Sequence, residues 1–137
     1  MKNLLTAIFG KTAGSTLSTS VGGRIFLDEA PADSEFPYAV FQVVNTSPER
    51  TFTEDFEETS IQFSIYSDSL SATEISTIQG YLDSLFDEGS TFAVTGSTLI
   101  WMRRNNTVTM TDNITTDSGT FTLRHWATDF DILVSKD

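Results

Sequence analysis

Residues 61–89 read IQFSIYSDSLSATEISTIQGYLDSLFDEG, and the apolar period changes within them. Ile61, Phe63 and Ile65 alternate with Gln62, Ser64 and Tyr66, the period of a strand with one buried face. Ile75, Ile78, Leu82, Leu85 and Phe86 then form one apolar stripe at helical spacing. Ser71 and Glu74 stand as an S-x-x-E capping box, in which each side chain satisfies a free backbone N–H at the helix start. Gly89 takes the position of a left-handed C-cap, so the spacing predicts a helix over 72–88. A one-faced strand followed by a one-faced helix requires the helix to lie on the sheet.

Outward from this stretch, residues 36–44 are apolar on both alternating faces. Phe36, Tyr38, Val40 and Val44 lie on one face, and Ala39, Phe41 and Val43 on the other. That pattern reads as a central strand covered on both sides. The polar residues 45–58 read as a long connection to the 61–66 strand, and the two runs predict an antiparallel hairpin. Earlier, Arg24-Ile25-Phe26-Leu27 reads as a short strand, stopped by Asp28-Glu29-Ala30-Pro31. Leu4, Leu5, Ile8 and Phe9 have helical spacing, with Asn3 as N-cap and Gly10 as stop. Residues 10–23, rich in Gly, Ser and Thr, read as a loop with one helical turn.

Downstream, residues 91–94 and 97–104 read as strands, the second continuing through Val108 and Met110. Asp112-Asn113 and Asp117-Ser118-Gly119 supply turn chemistry. A last strand covers 120–134, and its apolar residues change phase: Phe121 and Leu123 are odd, while Trp126, Phe130, Ile132 and Val134 are even. A β-bulge near His125 accounts for that slip. The expected fold is α+β, one domain over 1–137. It has a mostly antiparallel β-sheet, with an N-terminal helix and one amphipathic helix packed on one face.

Composition bounds the function. A chain of 137 residues, 39% hydrophobic and with eleven Phe, can bury one real core. Without cysteine there are no disulfides and no thiolate metal sites. The apolar stretch of residues 1–9 is too short for a secretion signal and reads as an amphipathic helix. No run approaches the ~18 apolar residues of a membrane span. Nineteen acidic against eight basic residues give a formal charge of −11. Such a surface is repelled by the phosphate backbone, whose affinity comes from Lys and Arg. The acidity serves either solubility or a surface past which DNA slides without sticking.

No reaction centre is legible. His125 is the only histidine and, between Arg124 and Trp126, reads as structural. The acidic pairs Asp28/Glu29, Glu54/Asp55, Glu57/Glu58, Asp87/Glu88 and Asp129/Asp131 follow from composition, and adjacent acids point apart. Asp129 and Asp131 share a strand face opposite the apolar one, expected to be solvated. Calcium-loop, phosphate-loop and nucleophile-elbow spacings are missing, and Arg103-Arg104 is only a basic pair. The expectation is a non-enzyme with no catalytic residues, no metal and no cofactor.

Val21-Gly22-Gly23-Arg24-Ile25-Phe26, then Ala30-Pro31, then Phe36-Pro37-Tyr38-Ala39-Val40-Phe41, resembles the tail-completion or tail-terminator proteins of long-tailed bacteriophages. In that family a "G-x-R-I/V-aromatic" strand, a Pro-containing loop and a "P-Y-hydrophobic" strand follow an N-terminal helix, and a polar loop, a strand and an amphipathic helix come next. The matching positions here are Gly22, Gly23, Arg24, Pro31, Pro37 and Tyr38. Residues 10–20 depart from the pattern, where the family has an extended helix. The resemblance implies a homo-oligomeric, hexameric ring at the head-proximal end of a tail, assembled in the host cytoplasm and carried in the virion. Its implied partners are the tail tube protein, the head-connector or stopper protein and the tape-measure protein; DNA passes through, and no membrane is involved. Glu49, Glu54, Asp55, Glu57 and Glu58 are then expected to face the lumen or a ring contact. Other readings are a different virion ring, such as a stopper or tube subunit, or a small acidic binding module.

Overall fold

The computed structural model of the chain describes residues 2–50, 54–86, 92–117 and 119–136. Helices α1 (Lys2–Thr12) and α2 (Thr16–Ser20) lead to strands β1 (Ile25–Leu27), β2 (Tyr38–Arg50) and β3 (Asp55–Ser67). Helix α3 (Thr73–Leu85) then leads to β4 (Ser97–Thr116) and β5 (Gly119–Lys136). The strands form one five-stranded sheet in the order β1-β2-β3-β5-β4. Only the β1–β2 pair is parallel. The expected α+β class and the expected antiparallel β2–β3 hairpin are both present, with Ala39 opposite Ile65 and Phe41 opposite Phe63.

The three helices of the described residues lie on one face, because the sheet's main apolar cluster points that way. Ala39 and Phe41 of β2, Ile61, Phe63 and Ile65 of β3, and Phe130, Ile132 and Val134 of β5 are buried with Leu4, Ile8, Leu17, Ile75, Ile78 and Leu82 of the helices. Phe63 sits at the centre, its ring centroid 5.3 Å from Phe41, 5.2 Å from Phe86 and 5.9 Å from Phe130. A polar seam ties α3 to the sheet beside this core. Gln79 Nε2 donates to Thr128 Oγ1 (2.8 Å) and Asp83 Oδ1 (2.9 Å), and Arg104 Nη1 donates to Asp83 Oδ2 (2.8 Å).

Several elements differ from the sequence reading, each for a local reason. Helix α1 runs through Gly10 to Thr12, because buried Ile8 and Thr12 hold its last turn on the core. The helical turn expected within 10–23 is present as α2, capped by Ser15 Oγ accepting from Ser18 N–H (3.2 Å) and anchored by buried Leu17. The capping box at α3 does not form. Ser71 Oγ accepts from Thr73 N–H (3.2 Å), while the Glu74 carboxylate takes the Ser67 hydroxyl (2.7 Å) instead of a backbone amide. The helix ends at Leu85 with Phe86 as cap, and Gly89 and the Asp87/Glu88 pair lie outside the described residues.

Residues 45–50 and 55–58, read as part of a loop, are strand: β2 runs to Arg50 and β3 starts at Asp55. Backbone pairing carries this hairpin, so apolar alternation is not needed to hold it. β2 is second from the edge, and β3 is the central strand. Val94 makes only an isolated bridge to Ser97, and Thr91 lies outside the described residues. Asp112 and Asn113 pair in mid-strand with Leu123 and Thr122, and the β4–β5 pairing runs on to Thr116 opposite Gly119. No bulge occurs near His125, where β5 stays in register with both neighbours. The irregularities lie at Val43/Asn45 on β2 and at Leu99/Trp101 and Arg104/Asn106 on β4.

Candidate functional site

The five acids expected in one loop sit on or beside a strand hairpin and are divided between its faces. Pleating puts Asp55 and Glu57 on the helix side and Glu49 and Glu58 on the open side, since Glu49 opposes Phe56 and Ser47 opposes Glu58. Glu54 precedes the first paired residue of β3. On the helix side Asp55 Oδ1 is 3.7 Å from Arg50 Nε, and Glu57 Oε2 is 3.1 Å from Lys136 Nζ. Burial raises the Glu57 pKa, but the hydrogen bond and charge of Lys136 outweigh it and hold the carboxyl below its ordinary value. Glu58 moves the other way: burial, the Glu49 carboxyl beside it and Asp131 raise its pKa against the pull of Arg103. The hairpin thus holds a neutralised pair on one face and a self-repelling pair on the other.

A polar band crosses the open face next to Glu58. Gln42 Nε2 donates to Gln62 Oε1 (3.3 Å), Gln62 Nε2 to Asp129 Oδ1 (3.0 Å) and Ser60 Oγ to Asp131 Oδ1 (2.9 Å). Asp129 and Asp131, expected to be solvated, are half-buried acceptors within this band. Arg103 lies beside it with its guanidinium 4.1 Å from the Trp101 ring centroid.

The residues of the G-x-R and P-Y motif meet at the other end of β2. Arg24 Nε donates to the Pro37 carbonyl (3.1 Å) and Nη2 to the Phe36 carbonyl (3.4 Å). Its guanidinium lies against Gly22, where an added Cβ would stand 2.6 Å from Nη1; Gly22 has φ +61° and Gly23 φ +76°. Ser34 caps the turn at Pro31, donating from N–H and Oγ to the Pro31 carbonyl (3.1 and 2.7 Å). Arg24 is therefore an internal latch on residues 28–37, the segment that returns the chain to a strand parallel to β1. Tyr38 begins a row of rings on the open face, with centroids 5.3 Å from Phe36 and 4.9 Å from Tyr66.

His125 closes that row, stacked on Tyr66 at 4.3 Å. Its Nε2 is buried without a hydrogen-bond partner, and burial lowers its pKa while Asp112 pulls it up. Among the described residues no group of three or more His, Cys, Asp or Glu could hold a metal ion, and no helix is long and apolar enough to cross a membrane. What the arrangement offers is surface: an acidic hairpin, an aromatic row and a two-stranded ribbon beyond it.

Comparison with known proteins gives this surface a context. A family model described as tail completion protein gp17 matches residues 6–135. No curated protein matches. A chain in the virion of a native gene transfer agent particle superposes with a TM-score of 0.75 over 96% of this chain and 94% of that one. At 13% identity, that likeness speaks for the fold. The chain belongs to the tail completion protein gp17 family and is a structural protein of a phage virion, located at the tail and its junction with the head.

Proposed function

We propose that this chain, acting as a single domain over 1–137, assembles into a hexameric ring at the head-proximal end of the tail. The ring caps the tail tube, joins it to the head connector or stopper, meets the tape-measure protein, and lets DNA through without binding it. The observation that carries this reading is the family match across nearly the whole chain. The charge supports it: six copies multiply a formal −11 sixfold, so a bore lined by such chains repels the phosphate backbone. The role is structural and not enzymatic. The open-face acids Glu49 and Glu58 are the part of the hairpin best placed for a lumen, while Asp55 and Glu57 are engaged by Arg50 and Lys136.

Light scattering and negative-stain imaging of the protein, alone and with purified tail tubes, test this. Rings of about six copies, or closure on tube ends, are expected, with salt favouring closure by screening acidic repulsion. Long self-assembled cylinders would instead identify a tube subunit. A monomer that ignores tube ends would identify a small acidic binding module. Neutralising Glu49, Glu54, Asp55, Glu57 and Glu58 together is expected to change ring assembly or slow DNA passage; normal assembly and infectivity would remove the lumen assignment.

A further inference from the structure

Past Arg124 the sheet narrows to two strands, because β3 stops pairing with β5 at Ser67. The β4–β5 ribbon continues alone to the Thr116–Gly119 pair, and its two faces differ in chemistry. One carries Thr109, Thr111, Asn113, Thr115, Thr120 and Thr122, with Thr115 and Thr120 hydroxyls 3.2 Å apart and Thr122 donating to Asn113 (3.2 Å). The other carries Val108, Met110, Ile114, Phe121 and Leu123, with one charge, Asp112, opposite Leu123; of these Val108, Met110 and Phe121 are 46%, 40% and 41% exposed. A two-stranded hairpin is marginal in water unless its apolar face is packed. Large apolar side chains exposed together around a single charge mark an interaction site.

At the opposite edge of the sheet, α1 and β1 frame an apolar groove of about 510 Å3 lined by Lys2, Leu5, Thr6, Phe9, Leu27 and Phe41. Phe9 and Leu27 are exposed at its rim, and buried Phe41 lies on its floor. Charge separates these two surfaces as position does. Residues 2–27 contain Lys2, Lys11 and Arg24 and no acid, in a chain whose remainder is strongly acidic. Residues 105–123 of the ribbon contain Asp112 and Asp117 and no base.

We propose that the apolar face of the β4–β5 ribbon of one copy seats in the α1–β1 groove of the next copy, forming the joint of the ring; this rests on the ring reading above. Apolar meets apolar around Asp112, and Asp112 and Asp117 are brought towards Lys2, which lines the neighbour's groove. Because ribbon and groove lie at opposite edges of the same sheet, the contact is head-to-tail. A head-to-tail contact propagates from copy to copy and closes when its rotation allows, as a ring requires.

The absence of native cysteine makes the test direct. Full-length protein carrying both Phe9→Cys and Phe121→Cys, oxidised under ring-forming conditions, is expected to give a ladder of covalent oligomers ending in a closed species. Each single variant is expected to give no ladder. Separately, Phe121→Asp and Phe9→Asp proteins are each expected to lose rings, with association weakened roughly thirtyfold or more. Mixed together, they should form a dimer and nothing longer, since one intact ribbon and one intact groove remain. Wild-type rings without a cysteine ladder, or rings that survive Phe121→Asp, would overturn the joint and leave the ring reading standing. Wild-type protein that forms no ring even on tube ends would remove the ring reading, and the joint with it.

Discussion

The β2–β3 hairpin and the β4–β5 ribbon leave the same sheet at opposite ends, and they are built for different surroundings. The hairpin keeps β5 beside it almost to its tip, with Phe56 opposite Ser135, and its faces carry carboxylates. The ribbon loses its third strand at Arg124 and still carries Met110, Ile114, Phe121 and Leu123, around Asp112, on one face. A charged hairpin with strand support is content in water. An apolar ribbon without support is content only against a partner. The difference separates residues that hold this fold from residues placed on it for assembly, although both groups include phenylalanines in strands.

The sharpest way to break the comparison is to truncate one aromatic on each side of it. Phe63, fully buried and packed on three other rings, should cost about 3–5 kcal/mol as Phe63→Ala, through lost transfer energy and the cavity left behind. Phe121→Ala should change monomer stability by less than about 0.5 kcal/mol, as expected of a surface substitution. Denaturant unfolding at a concentration that keeps both proteins monomeric measures the two. Equal losses would mean that the ribbon face belongs to the core.

The same contrast explains what the sequence could tell. Wherever the helical layer covers one side of the sheet, burial imposes a period, and 61–65 and 75–86 were readable for that reason. The 45–58 stretch was not, because solvent lies beyond both faces of the hairpin and backbone pairing alone extends the strands. The phase change between Leu123 and Trp126 was visible, but a bulge is the wrong cause. Apolar residues switch face there because the strand leaves the helix-covered core, and the surface to be covered moves to the other side. The motif at 21–41 was recognisable as a pattern. That Arg24 serves an internal latch depends on the Phe36 and Pro37 carbonyls returning to it, which no spacing reveals. The α1–β1 groove combines side chains from three separate elements and left no local signal.

Arg24 gives a smaller test of how a motif residue acts. Arg24→Ala removes two hydrogen bonds from a charged donor and should cost about 1–2 kcal/mol. The loss should appear first as faster amide exchange in residues 28–37, with exchange in α3 and β3 unchanged. A variant that keeps full protection there but fails to assemble would move Arg24 from the fold to the interface.

The smallest expected effect separates the two faces of the acidic hairpin by pH. Glu57 has a pKa below its ordinary value of 4.5, so the stability it contributes is present above that value and lost as pH falls through the folded-state pKa. Glu58 has a pKa above 4.5, so the folded chain takes up its proton earlier than the unfolded chain does. Stability from Glu58 is therefore gained as pH falls from above its raised pKa towards 4.5. On acidification the hairpin should first tighten, as the Glu49–Glu58 repulsion is relieved, and then loosen as the Glu57–Lys136 bridge is protonated. Glu58→Gln should remove the first limb and Lys136→Met the second, each by less than about 1 kcal/mol because these groups are in contact with solvent. Unfolding midpoints followed from pH 7 down to 3 measure both limbs. If Glu58→Gln leaves the first limb in place, the repulsion lies elsewhere in the acidic surface. The case for Glu49 and Glu58 as the charged face of a ring lumen then loses its electrostatic basis.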